Sequence, residues 1–178
     1  MFTLRCTRKL LRRLGATPSS AVITPTTVLG DWYANLLHVR PQQLVLVMSE
    51  RSLLCVLVPA RPAATLAERF RSAVGELLAA TGVPDDKVAL ELGEMTDMAV
   101  GATASRSVLG CMNDAVVQLE AYPHGRRGEW PPLVELELHL AENIYSTTGY
   151  QSPRLRTLEL FGVRETVRAR RVPAGHLH

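Results

Sequence analysis

Two neighbouring apolar runs constrain the fold of this chain most. Residues 44–48 (LVLVM) and 53–58 (LLCVLV) are apolar at every position, and only the polar residues 49–52 separate them. Their composition favours strands, and the short connection predicts an antiparallel hairpin. Successive side chains of a strand point to opposite faces, so an uninterrupted apolar run needs cover on both faces. We therefore expect this hairpin at the centre of a sheet that is covered on each side.

The rest of the pattern predicts a single α+β domain. Residues 1–6 and 98–103 resemble short strands, whereas residues 31–39 fit either a strand or a helix. Apolar residues at helical spacing predict several helices, the longest over 65–80 and 105–122. We expect a small, mostly antiparallel sheet packed against about five helices. Residues 1–162 form the domain in this prediction, and residues 163–178 form a basic, partly ordered tail.

The composition is that of an ordinary globular domain. The chain has 178 residues, of which 47% are apolar and 21% charged. Cys6, Cys55 and Cys111 are far apart in sequence, which argues against a disulfide framework or a zinc site. No run approaches the roughly 18 apolar residues of a membrane span. These observations predict a cytoplasmic protein without a membrane partner, and no motif indicates a metal or another cofactor.

Positive charge is concentrated at the two ends of the chain. Basic residues are dense before position 14 and after position 163, and no acid precedes Asp31. Two basic ends are typical of a nucleic-acid contact, and they are equally typical of solvated termini in an arginine-rich protein. The candidates for a basic surface in the N-terminal segment are Arg5, Arg8, Lys9, Arg12 and Arg13.

A group of polar residues lies on one face of the helix predicted over 105–122. The opposite face carries the apolar stripe Val108, Met112, Ala115, Val116 and Leu119. Glycine in the interior of a helix lowers the stability of the helix by about 1 kcal/mol relative to alanine, so the presence of Gly110 calls for an explanation. One interpretation is a site in which Arg106 binds an anion and nearby polar groups orient a ligand. The other is packing, in which Gly110 admits a neighbouring element and Arg106 pairs with Asp31. This face comprises Arg106, Gly110, Asn113, Asp114 and Val117.

The segment 30–35 (GDWYAN) is the second place with unusual polar and aromatic residues. Asp31 can cap the element that follows it. Trp32 and Tyr33 fit a packed core, or a platform on which a base stacks. Asn35 and His38 are further ligand-binding candidates. By contrast, Glu91, Glu94 and Asp97 are predicted to form a solvated acidic surface.

Three segments resemble an uncharacterised bacterial domain family. They are RCTxKLL at residues 5–11, LGDWYANL at 29–36 and RSVLGxMND at 106–114. The resemblance extends over about residues 1–162 and implies a bacterial, cytosolic, single-domain protein. It implies no activity and no catalytic residue. The chain has Ala115 where the family has an aromatic residue after the Asn-Asp pair.

Three functional hypotheses follow from these patterns. The first is a binding or regulatory domain that contacts nucleic acid or a protein partner. The second is a small enzyme, such as a nuclease or nucleotide hydrolase, that uses Arg106 with Asp31 or Asp114 on a phosphate-containing substrate. The third is a structural subunit that docks through the Gly110 face. The enzyme requires its residues to converge in one pocket, whereas docking requires an exposed apolar patch beside Gly110. The oligomeric state is left open.

Overall fold

Five strands and six helices make up the described part of the chain. The computed structural model describes residues 1–21, 23–39, 42–122 and 130–164. The predicted basic tail lies outside the described residues from position 165 onward. The strands are β1 (Phe2–Cys6), β2 (Trp32–Val39), β3 (Gln42–Ser49), β4 (Cys55–Pro59) and β5 (Met98–Ala102). The helices are α1 (Arg8–Leu14), α2 (Leu66–Thr81), α3 (Asp85–Glu94), α4 (Arg106–Ala121), α5 (Leu133–Ala141) and α6 (Pro153–Leu160), with 3₁₀ turns at Ala63–Thr65 and Ser146–Thr148.

The strands form one mixed sheet in the order β4-β3-β2-β1-β5. β1 is parallel to both β2 and β5, whereas β3 is antiparallel to β2 and to β4. Parallel neighbours need a long crossover, which α1 and its following loop provide between β1 and β2. The α+β class is therefore confirmed, but the sheet is mixed rather than mostly antiparallel. The ambiguous segment 31–39 is a strand.

The predicted hairpin is formed by β3 and β4, and it lies at one side of the sheet. Its central position is not confirmed, because β4 is an edge strand. Both faces of β4 are nevertheless buried, as α2 and α5 pack on it from opposite sides. The buried carboxylate of Glu137 on α5 also accepts the Leu57 N–H at 2.6 Å. Helix and carboxylate together cover an edge that would otherwise expose unpaired backbone groups.

Alternation along the strands produces two hydrophobic cores, one on each face of the sheet. The first core lies under α1, α2 and α3, and Trp32 packs edge-on against Phe70 there with ring centroids 5.2 Å apart. The second core lies under α4 and α5 and receives Tyr33 from the adjacent position of β2. The sheet is therefore a middle layer, and α4 presents one face to the second core and the other outward.

Candidate functional site

Asp31 belongs to a buried network at the start of β2. Its Oδ1 accepts the Thr3 N–H at 2.9 Å, and its Oδ2 accepts from Arg5 Nε at 2.9 Å and Nη2 at 2.7 Å. Asp31 is 2% exposed, so the ion pair joins β1 to the start of β2 inside the protein. The packing interpretation predicted an ion pair between Asp31 and Arg106, and this prediction is wrong, because Asp31 pairs with Arg5. Arg5, predicted as basic surface, is half-buried and its charge is compensated.

The other candidates on β2 also have structural partners. Trp32 is fully buried, so the prediction that it offers a platform for a base is wrong. Tyr33 is buried as well, and its hydroxyl accepts the Ser105 N–H at 3.1 Å and donates to Glu50 Oε1 at 3.5 Å. Asn35 Oδ1 accepts from Thr7 Oγ1 at 3.0 Å. These contacts tie β2 to the residues that precede α1 and α4.

The helix α4 has the two faces that the sequence predicted. Val108, Met112, Ala115 and Leu119 are buried, and Val116 is partly buried against the same core. Ser105 caps the helix, since its hydroxyl accepts the Val108 N–H at 3.3 Å. The opposite face is exposed along its whole length, and it comprises Arg106, Gly110, Asn113, Asp114 and Val117.

Gly110 is free of packing contacts within the described part of the chain. A Cβ built at this position would meet nothing within 4 Å, apart from the helix's own backbone. The prediction that Gly110 admits another element of the same chain is therefore wrong for these residues. Neither Arg106 nor Asp114 forms an ion pair with any described residue. The polar face of α4 is thus available to an external partner.

A cleft of about 520 Å³ runs beside this face. Arg106, Gly110 and Asp114 line one side, and the segment 144–150 lines the other. Ile144 is 69% exposed and Tyr150 is 76% exposed, and both border the cleft. Neither residue could be recognised from the sequence, because an isolated Ile or Tyr in a loop carries no periodic signal. A second cavity of about 410 Å³ adjoins the cleft and shares Ser107 and Thr147 with it.

Hydrogen bonds within segment 144–151 shape the loop that borders the cleft. The single hydroxyl proton of Thr148 is shared between the carbonyls of Tyr145 and Gln151, which lie 2.9 Å and 2.7 Å from Oγ1. Tyr150 has φ 64°, a left-handed conformation that is costly for a bulky residue. Such strain persists only where surrounding contacts impose it, and it is concentrated at functional positions. The loop therefore places Tyr150 at the surface beside the cleft.

Only part of the residue set that the enzyme hypothesis requires is brought together. Arg106 and Asp114 line the cleft, whereas Asp31 and Asn35 are engaged in networks with β1 and Thr7. Asn113 is exposed on α4 but is not part of the cleft lining. Across the described residues, no three His, Cys, Asp or Glu side chains are grouped closely enough to bind a metal ion.

The helix α1 carries the remaining basic candidates. Arg8, Lys9, Arg12 and Arg13 are all exposed, and α1 contains no acidic residue. Lys9 Nζ donates to Nδ1 of the exposed His38 at 2.8 Å. The exposed side of α1 therefore carries four cations, opposite the buried Leu10 and Leu11.

Two buried acids were not recognised from the sequence. Glu91, predicted as solvated, accepts the Val28 and Leu29 N–H groups at 2.7 Å and 3.0 Å, and burial raises its pKa. Glu137 on α5 has a pKa that burial raises to about 7. Both carboxylates bond to backbone amides of distant segments, so they contribute to the fold rather than to the cleft.

Comparison with protein families adds one finding. Residues 3–156 match the model of a family described as Domain of unknown function (DUF6933). The chain belongs to this family. The predicted resemblance to an uncharacterised family is thereby confirmed. The DUF6933 match includes the residues of both the Asp31 network and the α4 cleft. Searches of the curated proteins and of the solved structures find no match. No helix in the described part of this DUF6933 protein is long and apolar enough to cross a membrane.

Proposed function

We propose that this protein is a binding domain that docks a partner protein on the outer face of α4. The observation that carries the proposal is the open space at Gly110 beside the exposed Ile144 and Tyr150. A glycine in the middle of a helix lowers the stability of that helix. The glycine is explained if a second chain packs closely against the helix at this position, because a side chain there would keep the second chain away.

The surroundings of Gly110 have the composition of a protein interface. Exposed apolar side chains supply contact area, and aromatic residues such as Tyr150 are enriched in interface cores. Arg106 and Asp114 add unpaired charges of opposite sign at the two ends of the face, which favours one orientation of a partner. This arrangement supports docking better than catalysis, since Asp31 and Asn35 lie outside the cleft that Arg106 and Asp114 line.

Substitution of two exposed helical glycines tests the proposal. A Cβ added at Gly110 or at Gly93 has open space around it, so Gly110→Arg and Gly93→Arg should both fold normally. Affinity capture from cells, quantified for both variants, should show partners that are lost with Gly110→Arg and retained with Gly93→Arg. Binding should then be reproduced with purified components. Partners that bind both variants equally would contradict docking at α4.

The basic surface of α1 supports a second candidate function, which is nucleic-acid binding. Four exposed cations on one helix without an acid make a surface that attracts phosphate. Fluorescence anisotropy with short single-stranded RNA and duplex DNA over a salt series measures this directly. Arg12→Glu should weaken binding several-fold and reduce its salt dependence, whereas Arg71→Glu on the exposed side of α2 should not. Equal affinity in both variants would refute a contact through α1.

A further inference from the structure

The outer face of α4 has a symmetry that a second copy of the same helix would match. Arg106 and Asp114 lie four residues before and four residues after Gly110, on the same exposed face. We propose that a second copy of this chain is the partner, packed α4 against α4 in antiparallel orientation about a two-fold axis at Gly110. This inference rests on the proposed docking function and identifies the docked chain.

The spacing of the charges produces complementary pairs in this arrangement. A helix rises 1.5 Å per residue, so Arg106 and Asp114 each lie about 6 Å along the axis from Gly110, in opposite directions. The two-fold axis reverses the direction of the second helix. Arg106 then lies level with Asp114 of the partner subunit, and symmetry repeats the same pair on the other side of the axis.

A single copy cannot satisfy these two charges. Arg106 and Asp114 are about 12 Å apart along α4, beyond the reach of an ion pair within one helix. Among the described residues neither has an ion-pair partner. Pairing across a two-fold interface engages both residues of each copy, and it does so without any further charged residue.

Gly110 lies where the two helices would cross. Packed helices are about 8–10 Å apart, and the side chains at the crossing set that distance. Glycine allows the closest approach, and the open space around Gly110 leaves the position free for a second backbone. A larger residue at the crossing would push the helices apart and separate the paired charges.

Exposed apolar residues provide the rest of the contact. Val117 is 64% exposed on the same face of α4, and Ile144 and Tyr150 border the adjoining cleft. Burial of these side chains supplies the affinity, while the charged pairs fix the antiparallel orientation. Patches of this kind on both copies are what an isologous interface requires, since each copy presents the same surface.

Charge reversal provides a test that a folding defect cannot imitate. In Arg106→Asp, like charges face each other twice across the interface, and the same is true of Asp114→Arg. Each variant alone should self-associate at least about tenfold more weakly than the wild-type chain in sedimentation equilibrium. An equimolar mixture of the two variants restores opposite charges at both positions, so it should form a one-to-one heterodimer.

Glycine variants, together with the mixture of charge-reversed chains, show whether the chain self-associates through Gly110. Gly110→Arg should abolish self-association and Gly93→Arg should preserve it, with unchanged circular dichroism in both. A wild-type chain that stays monomeric over roughly a hundredfold range of concentration would overturn the proposed dimer. If captured partners still depend on Gly110 in that case, the docking function stands with a different protein as partner. A wild-type dimer that is insensitive to the single reversals, or a mixture that fails to associate, would also overturn the proposed pairing.

Discussion

Asp31 and Asp114 are both acids within otherwise apolar segments, but they lie in opposite environments. Asp31 is buried on the sheet, and Arg5 and the Thr3 amide satisfy its two oxygens. Asp114 is exposed on α4 and has no ion-pair partner among the described residues. A polar residue at the start of a central strand is surrounded by neighbouring backbone and side chains, so the fold uses it. A polar residue on the outer face of a helix remains free for another molecule.

The largest expected difference is in the stability of alanine variants at these two positions. Asp31→Ala leaves the half-buried Arg5 cation and the Thr3 N–H without their partner, and removal of one member of a buried pair is strongly destabilising. We expect a loss of about 3 kcal/mol in the free energy of unfolding. Asp114→Ala should change it by less than about 0.5 kcal/mol, as is usual at an exposed position. Urea unfolding of both variants measures the difference, and equal losses would contradict the assignment of Asp31 to the fold.

A pH-dependent effect is expected at the covered edge of the sheet. Burial raises the pKa of Glu137 in the folded protein to about 7, from 4.5 when exposed. The folded state therefore binds this proton more tightly than the unfolded state. The contribution of Glu137 to stability is therefore complete below about pH 4.5. It decreases as the pH rises from 4.5, and it is lost as the pH rises through about 7.

The variant Glu137→Gln isolates this contribution, because a glutamine oxygen still accepts the Leu57 N–H. At pH 8 the variant should be more stable than the wild type by about 2 kcal/mol, since it removes a buried charge. At about pH 5 the difference should vanish. Denaturant unfolding of both proteins across this range provides the measurement. A difference that does not depend on pH would show that Glu137 titrates normally in the folded protein.

The smallest expected effect is at Gly110. Gly110→Ala should raise the free energy of unfolding of the monomer by about 0.5–1 kcal/mol, because alanine favours the helix and its Cβ has open space. Gly93→Ala should give a similar gain. In Gly75→Ala the new Cβ would lie 2.9 Å from Leu92 Cδ1, which offsets the benefit. Thermal unfolding at low protein concentration ranks the three variants, and a destabilising Gly110→Ala would reveal an intramolecular contact at this face.

Local patterns were sufficient to predict most elements of the fold. The apolar stripe of α4 and the paired runs of β3 and β4 specify a helix and a hairpin without reference to the rest of the chain. The sheet order was beyond such patterns, because burial on both faces looks the same in a central strand and in an edge strand covered by helices. Glu137 covers that edge from 80 residues away, a distance over which no periodicity extends.

The part of the candidate site that lies within one helix could also be predicted from a local pattern. The polar face of α4 follows from helical geometry, so Arg106, Gly110 and Asp114 could be placed together. The interpretation of Asp31 failed because its partner Arg5 lies on a neighbouring parallel strand, 26 residues away. The exposed Ile144 and Tyr150 become notable only when the loop lies beside α4.

Disulfide formation at Gly110→Cys tests the central claim most directly. A two-fold axis at this position brings the two copies of residue 110 face to face, within the Cα separation of about 4.4–6.8 Å that a disulfide requires. The native cysteines are buried, so the introduced thiol is the accessible one. Mild oxidation of the full chain, followed by peptide mass spectrometry, should give a dimer linked through residue 110 in both copies. Gly93→Cys under the same conditions should remain largely monomeric. If the Gly110→Cys chain gives no more linked dimer than the Gly93→Cys chain, the outer face of α4 is not a two-fold docking surface.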